Sequence, residues 1–332
     1  MISGNPKGRM DAGMTVREKA LELLATGETV EGAKLARELG VSRNAVWKVM
    51  NSLRKAGYEI EAVTNRGYRL LSAPDRLSEA EIRRWLTAGA IGRELEIHEL
   101  LDSTNNRAKA LAAAGAAHGT VVIADSQSGG RGRLGRSFFS PEHSGVYLTV
   151  ILRPECAPDR AGLLTSLAAV AAARAVEKVS GADVKIKWVN DLYLNGKKIC
   201  GILTEAGLGL EAGRLEYAVV GVGINVNRMS FPPELRGIAT SLGNETGFSP
   251  DRNRLIAEIL NELEALYGDL EAGAFLEESR RRSNVIGRTV TVLEGGKQYP
   301  AKALDIDGQS RLVIETEEGK ACLNYGEVSL KI

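Results

Sequence analysis

The octapeptide from Gly129 to Arg136, Gly-Gly-Arg-Gly-Arg-Leu-Gly-Arg, sets the guanidinium groups of Arg131, Arg133 and Arg136 among four glycines. Glycine permits positive φ and lets a backbone approach a ligand closely, and arginine offers a planar fork of donors that matches carboxylate and phosphate. Such a segment suits closure over an anionic ligand, ordering as it closes. Gly130, Gly132 and Gly135 also satisfy G-x-G-x-x-G, the spacing by which dinucleotide folds admit a pyrophosphate to a helix N-terminus. The context argues against that reading. The strand pattern Thr-Val-Val-Ile-Ala-Asp (120–125) is separated from Gly130 by Ser-Gln-Ser-Gly, and Pro141 and a β-rich stretch follow. Glu155 stands twenty residues beyond Gly135, but nothing between them has a helical pattern. A lone Gly-Arg-Gly-Arg string is also compatible with a solvated basic turn or a nucleic-acid contact, so its companions must decide.

The chain that carries this loop has 332 residues, more than one average domain. It is 44% hydrophobic and 26% charged, as soluble globular proteins are. Its 43 basic and 42 acidic residues nearly cancel, but residues 1–72 hold 12 Lys and Arg against 8 Asp and Glu, leaving 31 against 34 in the rest. A small basic module therefore precedes a mildly acidic body. Cys156, Cys200 and Cys322 are odd in number and far apart, which predicts neither a disulfide framework nor a metal site and fits reduced cytosol. The start lacks an apolar signal region, and the longest uncharged apolar stretch, 161–173, is too short to cross a bilayer, so a cytoplasmic protein without membrane contact is expected. His98, His118 and His143 stand 20 and 25 residues apart with no nucleophile and acid partnering them, so no catalytic imidazole is expected.

After a leader of residues 1–14, expected to be disordered, helical patterns run from Val16, from Glu31 to Gly40, and from Arg43, capped by Ser42, to a stop at Gly57. Ala36, Gly40 and Val46 fall at the small, turn and buried positions of a helix-turn-helix. The segment 58–71 alternates apolar and polar residues around Asn65, Arg66 and Gly67, as a hairpin does, and three helices with a hairpin make a winged helix. A protein-binding module is the bland alternative. DNA binding is favoured because Arg43, Asn44 and Lys48 sit at the exposed start of the third helix and Arg66 in the wing, within reach of base edges and phosphates. Trp47 is expected to pack rather than to contact a base.

The stretch Gly129–Pro141 is very similar to the ligand-binding loop of biotin–protein ligases, and Lys187–Leu203, Lys-Trp-Val-Asn-Asp-Leu-Tyr-Leu-Asn-Gly-Lys-Lys-Ile-Cys-Gly-Ile-Leu, resembles their second signature. Asp-Ser-Thr-Asn-Asn-Arg-Ala from Asp102 and Gly-Val-Gly-Ile-Asn-Val-Asn from Gly221 match two further motifs in the family's order. With the winged helix in front, the chain resembles the bacterial members that also repress the biotin operon. Val189 departs from the pattern, which usually has proline there; the change removes no functional group.

The resemblance implies a reaction in two steps, with ATP and biotin as substrates and Mg²⁺ on the phosphates. Biotin and ATP give biotinyl-5′-AMP and pyrophosphate, and a lysine of a biotin carboxyl carrier protein then displaces AMP. Two anions must meet in the first step, so cations and in-line positioning matter more than an acid or base. On this reading Lys198, Arg133, Asp191 and Lys187 are the catalytic candidates. Ser103, Thr104, Asn105, Gln127, Gly130, Arg131, Gly132, Arg133, Lys198 and Gly201 bind biotin, Arg131, Arg136 and Asn225 bind the nucleotide, and no residue is assigned to metal. Lys198 is to meet the biotin carboxylate and Arg133 to retain the adenylate, while Asp191 either orients the incoming lysine or binds metal. Ser103 has a second reading as a helix cap for 105–114. Trp188 is expected to pack beneath the ligand or in the core.

The expected fold is α+β and multidomain. A winged helix-turn-helix occupies 15–72 and a mixed α/β catalytic domain 73–284; in 285–332 short strand patterns broken by Gly-Gly, Asp-Gly and Glu-Glu-Gly turns predict a small β-barrel, with a cold-shock or other nucleic-acid barrel as the alternative, and the resemblance implies that it is SH3-like. The resemblance further implies operator DNA as a partner and a homodimer when biotinyl-AMP is bound. Two other classes stay open: a ligand-sensing repressor without turnover, and a lipoyl-type protein ligase.

Overall fold

The computed structural model describes residues 15–24, 28–55, 58–63, 66–72, 75–155, 157, 160–208, 215–324 and 327–330. The expected leader, the helix stop at Gly57 and the hairpin position Asn65 lie outside them. The chain divides into two compact units, Met1–Asp75 and Arg76–Ile332.

In the first unit, α1 (Val16–Leu24), α2 (Gly32–Leu39) and α3 (Arg43–Lys55) precede β1 (Glu59–Val63) and β2 (Gly67–Ser72), an antiparallel hairpin. Gly40 ends α2 at φ 67°, its N–H donating to the Ala36 and Arg37 carbonyls, so the chain turns directly toward α3. The Ser42 hydroxyl accepts from Ala45 N–H at 3.2 Å and caps α3. Leu24, Leu35, Val46, Met50 and Leu53 close the core between the three helices. Gly67, at φ 120°, lies so near the Val30 carbonyl oxygen that a Cβ would stand 2.0 Å from it, so the wing seats on the helices only through glycine.

The second unit opens with α4 (Glu79–Trp85), β3 (Leu95–Leu101), α5 (Thr104–Ala113), β4 (Val121–Gln127) and β5 (Gly145–Leu152). It continues through α6 (Ala161–Ser180), β6 (Lys185–Lys187), β7 (Asp191–Leu194), β8 (Lys197–Leu208) and β9 (Leu215–Asn225). Then come α7 (Leu242–Thr246), α8 (Arg252–Tyr267) and α9 (Phe275–Arg282). The strands form a seven-stranded sheet in the order β3-β4-β5-β9-β8-β7-β6, with β3 parallel to β4 and the other pairs antiparallel. Alternation along each strand divides its residues between two faces. Val121, Ile123, Leu148, Val150, Val220 and Val222 point into the large core shared with α6 and α8. Val122, Ile151 and Val219 point the other way and are covered by Ala108 and Ala112 of α5. The short α5 covers only part of that second face, and the uncovered part carries the site.

The apolar stretch 161–173 is the buried α6, and no helix of the described residues is long and apolar enough to cross a membrane. Its polar stripe joins α9 through Arg174, whose guanidinium meets Glu278 at 2.5 Å, and Glu278 also holds Arg282 at 2.7 Å. Burial pushes the Glu278 carboxyl up, and hydrogen bonds from Arg174 and Arg282 outweigh it and hold the group below the ordinary glutamate range. Its contribution is therefore in place above about pH 4.3 and is lost as the pH falls through the lowered value. Glu278→Ala is expected to lower the unfolding free energy by about 2–4 kcal/mol at pH 7, as urea denaturation would read, with a smaller difference at acid pH.

Beyond α9, β10 (Thr289–Glu294), β11 (Lys297–Ile306), β12 (Leu312–Thr316), β13 (Gly319–Leu323) and β14 (Glu327–Leu330) pair antiparallel as an SH3-like sheet in the order β13-β12-β11-β10-β14. Val290, Ala303, Leu312 and Ile314 join the large core. The loop after β11 reaches the catalytic face from behind: Trp188 Nε1 donates to the Ser310 carbonyl at 2.9 Å, and the Ser166 and Ser310 hydroxyls bond to each other.

Candidate active site

Cross-strand register assembles the uncovered part of the second face. Residues directly opposite in an antiparallel pair share a face. Asn225 opposes Gly145 and Gly223 opposes Tyr147, Gly221 opposes Thr149, and on the other side of β9 Gly201 and Leu203 oppose Gly223 and Gly221. Asp191 opposes Gly201, and Lys187 opposes Asp191. One row thus runs from glycines through a carboxylate to a lysine. The glycines are required: a Cβ at Gly221 would lie 2.0 Å from Asn105 Oδ1, and one at Gly223 would lie 2.7 Å from the Phe138 ring.

Two cavities lie above this floor and share Arg131, Phe138, Gly201 and Leu203. The smaller, about 20 Å³, is enclosed by Ser103, Thr104, Asn105, Gln127 and Tyr147. It is large enough for about one water, so a bicyclic ligand requires Phe138 to move. The larger, about 970 Å³, is a cleft bounded by the arginine loop, the 187–198 hairpin, Asn225 and Phe231.

Ser103 is 2% exposed and stands at the N-cap of α5, yet its hydroxyl makes no capping bond. Its position in the small cavity therefore serves something other than the helix, contrary to the capping reading. Thr104 N–H donates to Gln127 Oε1 at 2.9 Å, and Gln127 Nε2 donates to the Ser140 hydroxyl at 2.9 Å, which orients that amide. Asn105 is committed internally, with Nδ2 donating to the Leu203 carbonyl and to Glu205 Oε2 and Oδ1 accepting from the Thr149 hydroxyl. Burial pushes the Tyr147 phenol up to about 12, and it stays a neutral donor to the Pro141 carbonyl. Burial likewise drives the Cys200 thiol far upward, so beneath the floor it is inert.

Lys198 Nζ and Asp191 Oδ1 are 2.7 Å apart at the junction of the cavities, beside Gly201. Asn190 Nδ2 donates to Asp191 Oδ1 at 3.0 Å, and Asn190 Oδ1 accepts from Arg133 at 3.1 Å, tying the loop to this pair. Lys187 lies over the Tyr193 ring at 5.6 Å, and Gly132, Arg136 and Lys187 line the cleft. Gly130 is buried, where a Cβ would meet the Phe138 carbonyl oxygen at 2.4 Å. The only helical turn in the arginine loop is a short 3₁₀ piece at Arg133–Gly135, and β5 follows, so the dinucleotide βαβ unit is absent as expected. Trp188 is 4% exposed and lies in the core at the edge of the cleft. The Trp188–Val189 peptide is cis.

Asn225 is 4% exposed; its Nδ2 donates to the Thr240 carbonyl at 3.0 Å, and its Oδ1 has no hydrogen-bond partner among the described residues. A buried acceptor left open in a cleft wall is ready for a ligand donor. Sequence reasoning missed Phe138, Tyr147, Asn190, Glu205, Asn284 and Arg288. The alternation of Gly221 and Gly223 on one strand was the available signal for a bare floor. Nothing local announced Asn284 and Arg288, which reach the cleft from after α9.

In the first unit, Arg43, Asn44, Lys48 and Arg66 are exposed. Trp47 is 55% exposed and does not pack as expected, because Val46, Met50 and Leu53 already define the buried stripe of α3. The indole stands instead beside the three polar candidates on the outer face.

With this geometry in hand, comparison with known proteins is informative. The chain belongs to the biotin/lipoate A/B protein ligase family, which residues 97–225 match, while residues 16–69 match an HTH domain and residues 285–331 the biotin protein ligase C-terminal domain. It is 42% identical over 325 residues, 95% of this chain and 99% of the relative, to the bifunctional ligase/repressor BirA of Bacillus subtilis. Identity to the Escherichia coli protein of the same description is 32% over 324 residues, 96% of this chain and 98% of that one. Among solved structures, the Aquifex aeolicus biotin protein ligase in complex with biotin and ATP is similar with a TM-score of 0.61 and 29% identity, covering 72% of this chain and 99% of that one.

Proposed function

We propose that the protein is an ATP-dependent biotin–protein ligase that forms biotinyl-5′-AMP, transfers biotin to a lysine of a biotin carboxyl carrier protein, and represses transcription through its winged helix. The observation that carries this is the junction at Gly201, where a small, neutral, polar pocket opens into a long cationic cleft and Lys198 stands at the threshold. With Phe138 displaced, a neutral ureido ring fits the pocket beside the Ser103 hydroxyl, and its acid tail then reaches Lys198.

In the first step a biotin carboxylate oxygen attacks the α-phosphorus of ATP, a new P–O bond forms, and the bond to pyrophosphate breaks. Lys198, held by Asp191, neutralises the attacking carboxylate, and Arg131, Arg133, Arg136 and Lys187 gather the phosphates. Asn225 Oδ1 accepts from the exocyclic amine of adenine. Asp191, a carboxylate in the wall of the larger cleft, would help to hold Mg²⁺ against the phosphates, where the ion would supply charge neutralisation. In the second step the neutral lysine amine attacks the anhydride carbonyl, the C–O bond to AMP breaks, and the ammonium proton leaves to solvent. Between the steps the loop excludes water from a hydrolysable anhydride.

The test is a mass measurement on a carrier domain incubated with the protein, ATP, Mg²⁺ and either biotin or lipoate. A gain of one biotinyl group with biotin alone is expected. A gain with lipoate instead would make it a lipoyl-type ligase, and binding of biotin without any gain would make it a sensor only.

The adenylate doubles as corepressor in this reading: ordering the ligand loops favours a two-fold dimer that offers two copies of α3 to a palindromic operator. Sedimentation is expected to show self-association with biotinyl-AMP and a weaker tendency without it. Identical profiles would contradict the coupling.

A further inference from the structure

Glu205 has no part in the chemistry above, yet it faces the same row as Gly201 and Leu203, opposite Val219 on β9. Its Oε2 accepts from Asn105 Nδ2 at 2.9 Å, its Oε1 meets Lys109 at 2.7 Å, and the guanidinium of Arg131 lies 3.8 Å away. Arg131 itself donates to Asn106 Oδ1 at 2.9 Å, so the loop arginine is moored to the rim formed by α5 and β8. Burial pushes the Glu205 carboxyl up; hydrogen bonds from Lys109 and Asn105 and the field of both cations outweigh it and keep the group below the ordinary range, hence ionised.

An ionised carboxylate only accepts hydrogen bonds, whereas an amide or hydroxyl can present either polarity. Glu205 and the Leu203 carbonyl, which accept from Asn105 Nδ2 at 2.9 and 3.2 Å, together oblige Asn105 to turn its NH₂ outward to β8 and its carbonyl oxygen inward, against Gly221. That oxygen in turn draws the Thr149 hydroxyl proton at 2.7 Å, leaving the Thr149 oxygen, 2.9 Å from the Thr104 hydroxyl, as one acceptor for the Thr104 proton beside Gln127 Oε1 at 3.2 Å. The series ends at the wall of the small pocket.

We propose that Glu205 is the positioning residue of the ureido pocket: with the Leu203 carbonyl it fixes the orientation of the Asn105 amide and, through it, the polarity of the Thr149 hydroxyl behind the pocket wall. This rests on the ligase reading above. A wall polarised in this way meets biotin, whose ureido carbonyl accepts, differently from 2-iminobiotin, which offers an N–H at the same place.

The experiment compares wild type, Glu205→Gln and Glu205→Asp in steady-state labelling of a carrier domain with biotin, ATP and 2-iminobiotin varied. Glutamine keeps the shape but can present either polarity. Aspartate keeps the charge for Lys109 but withdraws the oxygen from Asn105. Both variants are expected to raise KM for biotin about tenfold, leave KM for ATP and kcat within about twofold, and change the preference between biotin and 2-iminobiotin. Unchanged biotin KM and preference would overturn the proposal, as would a rise in both KM values with a fall in kcat, which marks a general structural defect. Should glutamine prevent folding, aspartate decides alone, and wild-type kinetics in that variant would refute the role. A wild type that labels no carrier fails the ligase reading instead, and the ratio of biotin to 2-iminobiotin binding, read by calorimetry, then still tests Glu205.

Discussion

Lys198→Gln is expected to slow biotinyl-AMP formation about a thousandfold while leaving the winged helix folded. The ammonium stands where the polar pocket meets the cationic cleft, 2.7 Å from Asp191. Removal of a single preorganised donor from a developing charge costs about 10²–10³ in rate. Here the loss is compounded, because Asp191 loses the ammonium 2.7 Å away and its charge then weighs against both the incoming carboxylate and the phosphates. Adding Asp191→Asn is expected to recover part of the rate, so that the combined loss is smaller than the sum of the two single losses. Pyrophosphate release on mixing with biotin and ATP, in the absence of acceptor, measures this step alone. A Lys198→Gln enzyme that releases pyrophosphate at the wild-type rate would remove Lys198 from the chemistry.

The second large effect concerns retention rather than formation. Arg133→Gly is expected to release biotinyl-AMP into solution about 10–10² times faster, the worth of a hydrogen bond to a charged group. The consequence is indiscriminate labelling of nearby lysines. In the structure Arg133 donates to Asn190, which also bonds Asp191, so its loss frees the loop from the Lys198–Asp191 pair. Streptavidin blotting of a mixture of carrier and bystander proteins reads the outcome. Labelling confined to the carrier, at wild-type rate, would contradict the assignment.

The winged helix was legible because its punctuation is chemical: Gly40 takes the left-handed turn and Ser42 caps the next helix. Trp47 was misread because residue type was weighed above period; the spacing of Val46, Met50 and Leu53 already directed it outward. The arginine loop was legible since its own composition argues for an anion. The floor was harder, because it depends on register between β9 and its neighbours, and nothing in a single strand tells which residue stands opposite. Asn105 illustrates the limit. Its type and position suggested a ligand contact, whereas the fold spends its amide on Leu203, Glu205 and Thr149. Asn284 and Arg288 enter the cleft across a long sequence separation, which no local pattern encodes.

A crystal structure with biotin and a non-hydrolysable ATP analogue tests the central claim most directly. The account predicts the ureido ring beside Ser103 with Phe138 displaced, the biotin carboxylate within hydrogen-bond distance of Lys198 Nζ, and the adenine amine against Asn225 Oδ1. Electron density for either molecule away from the Gly201 junction, with Lys198 still closed on Asp191 and facing no ligand, would contradict it.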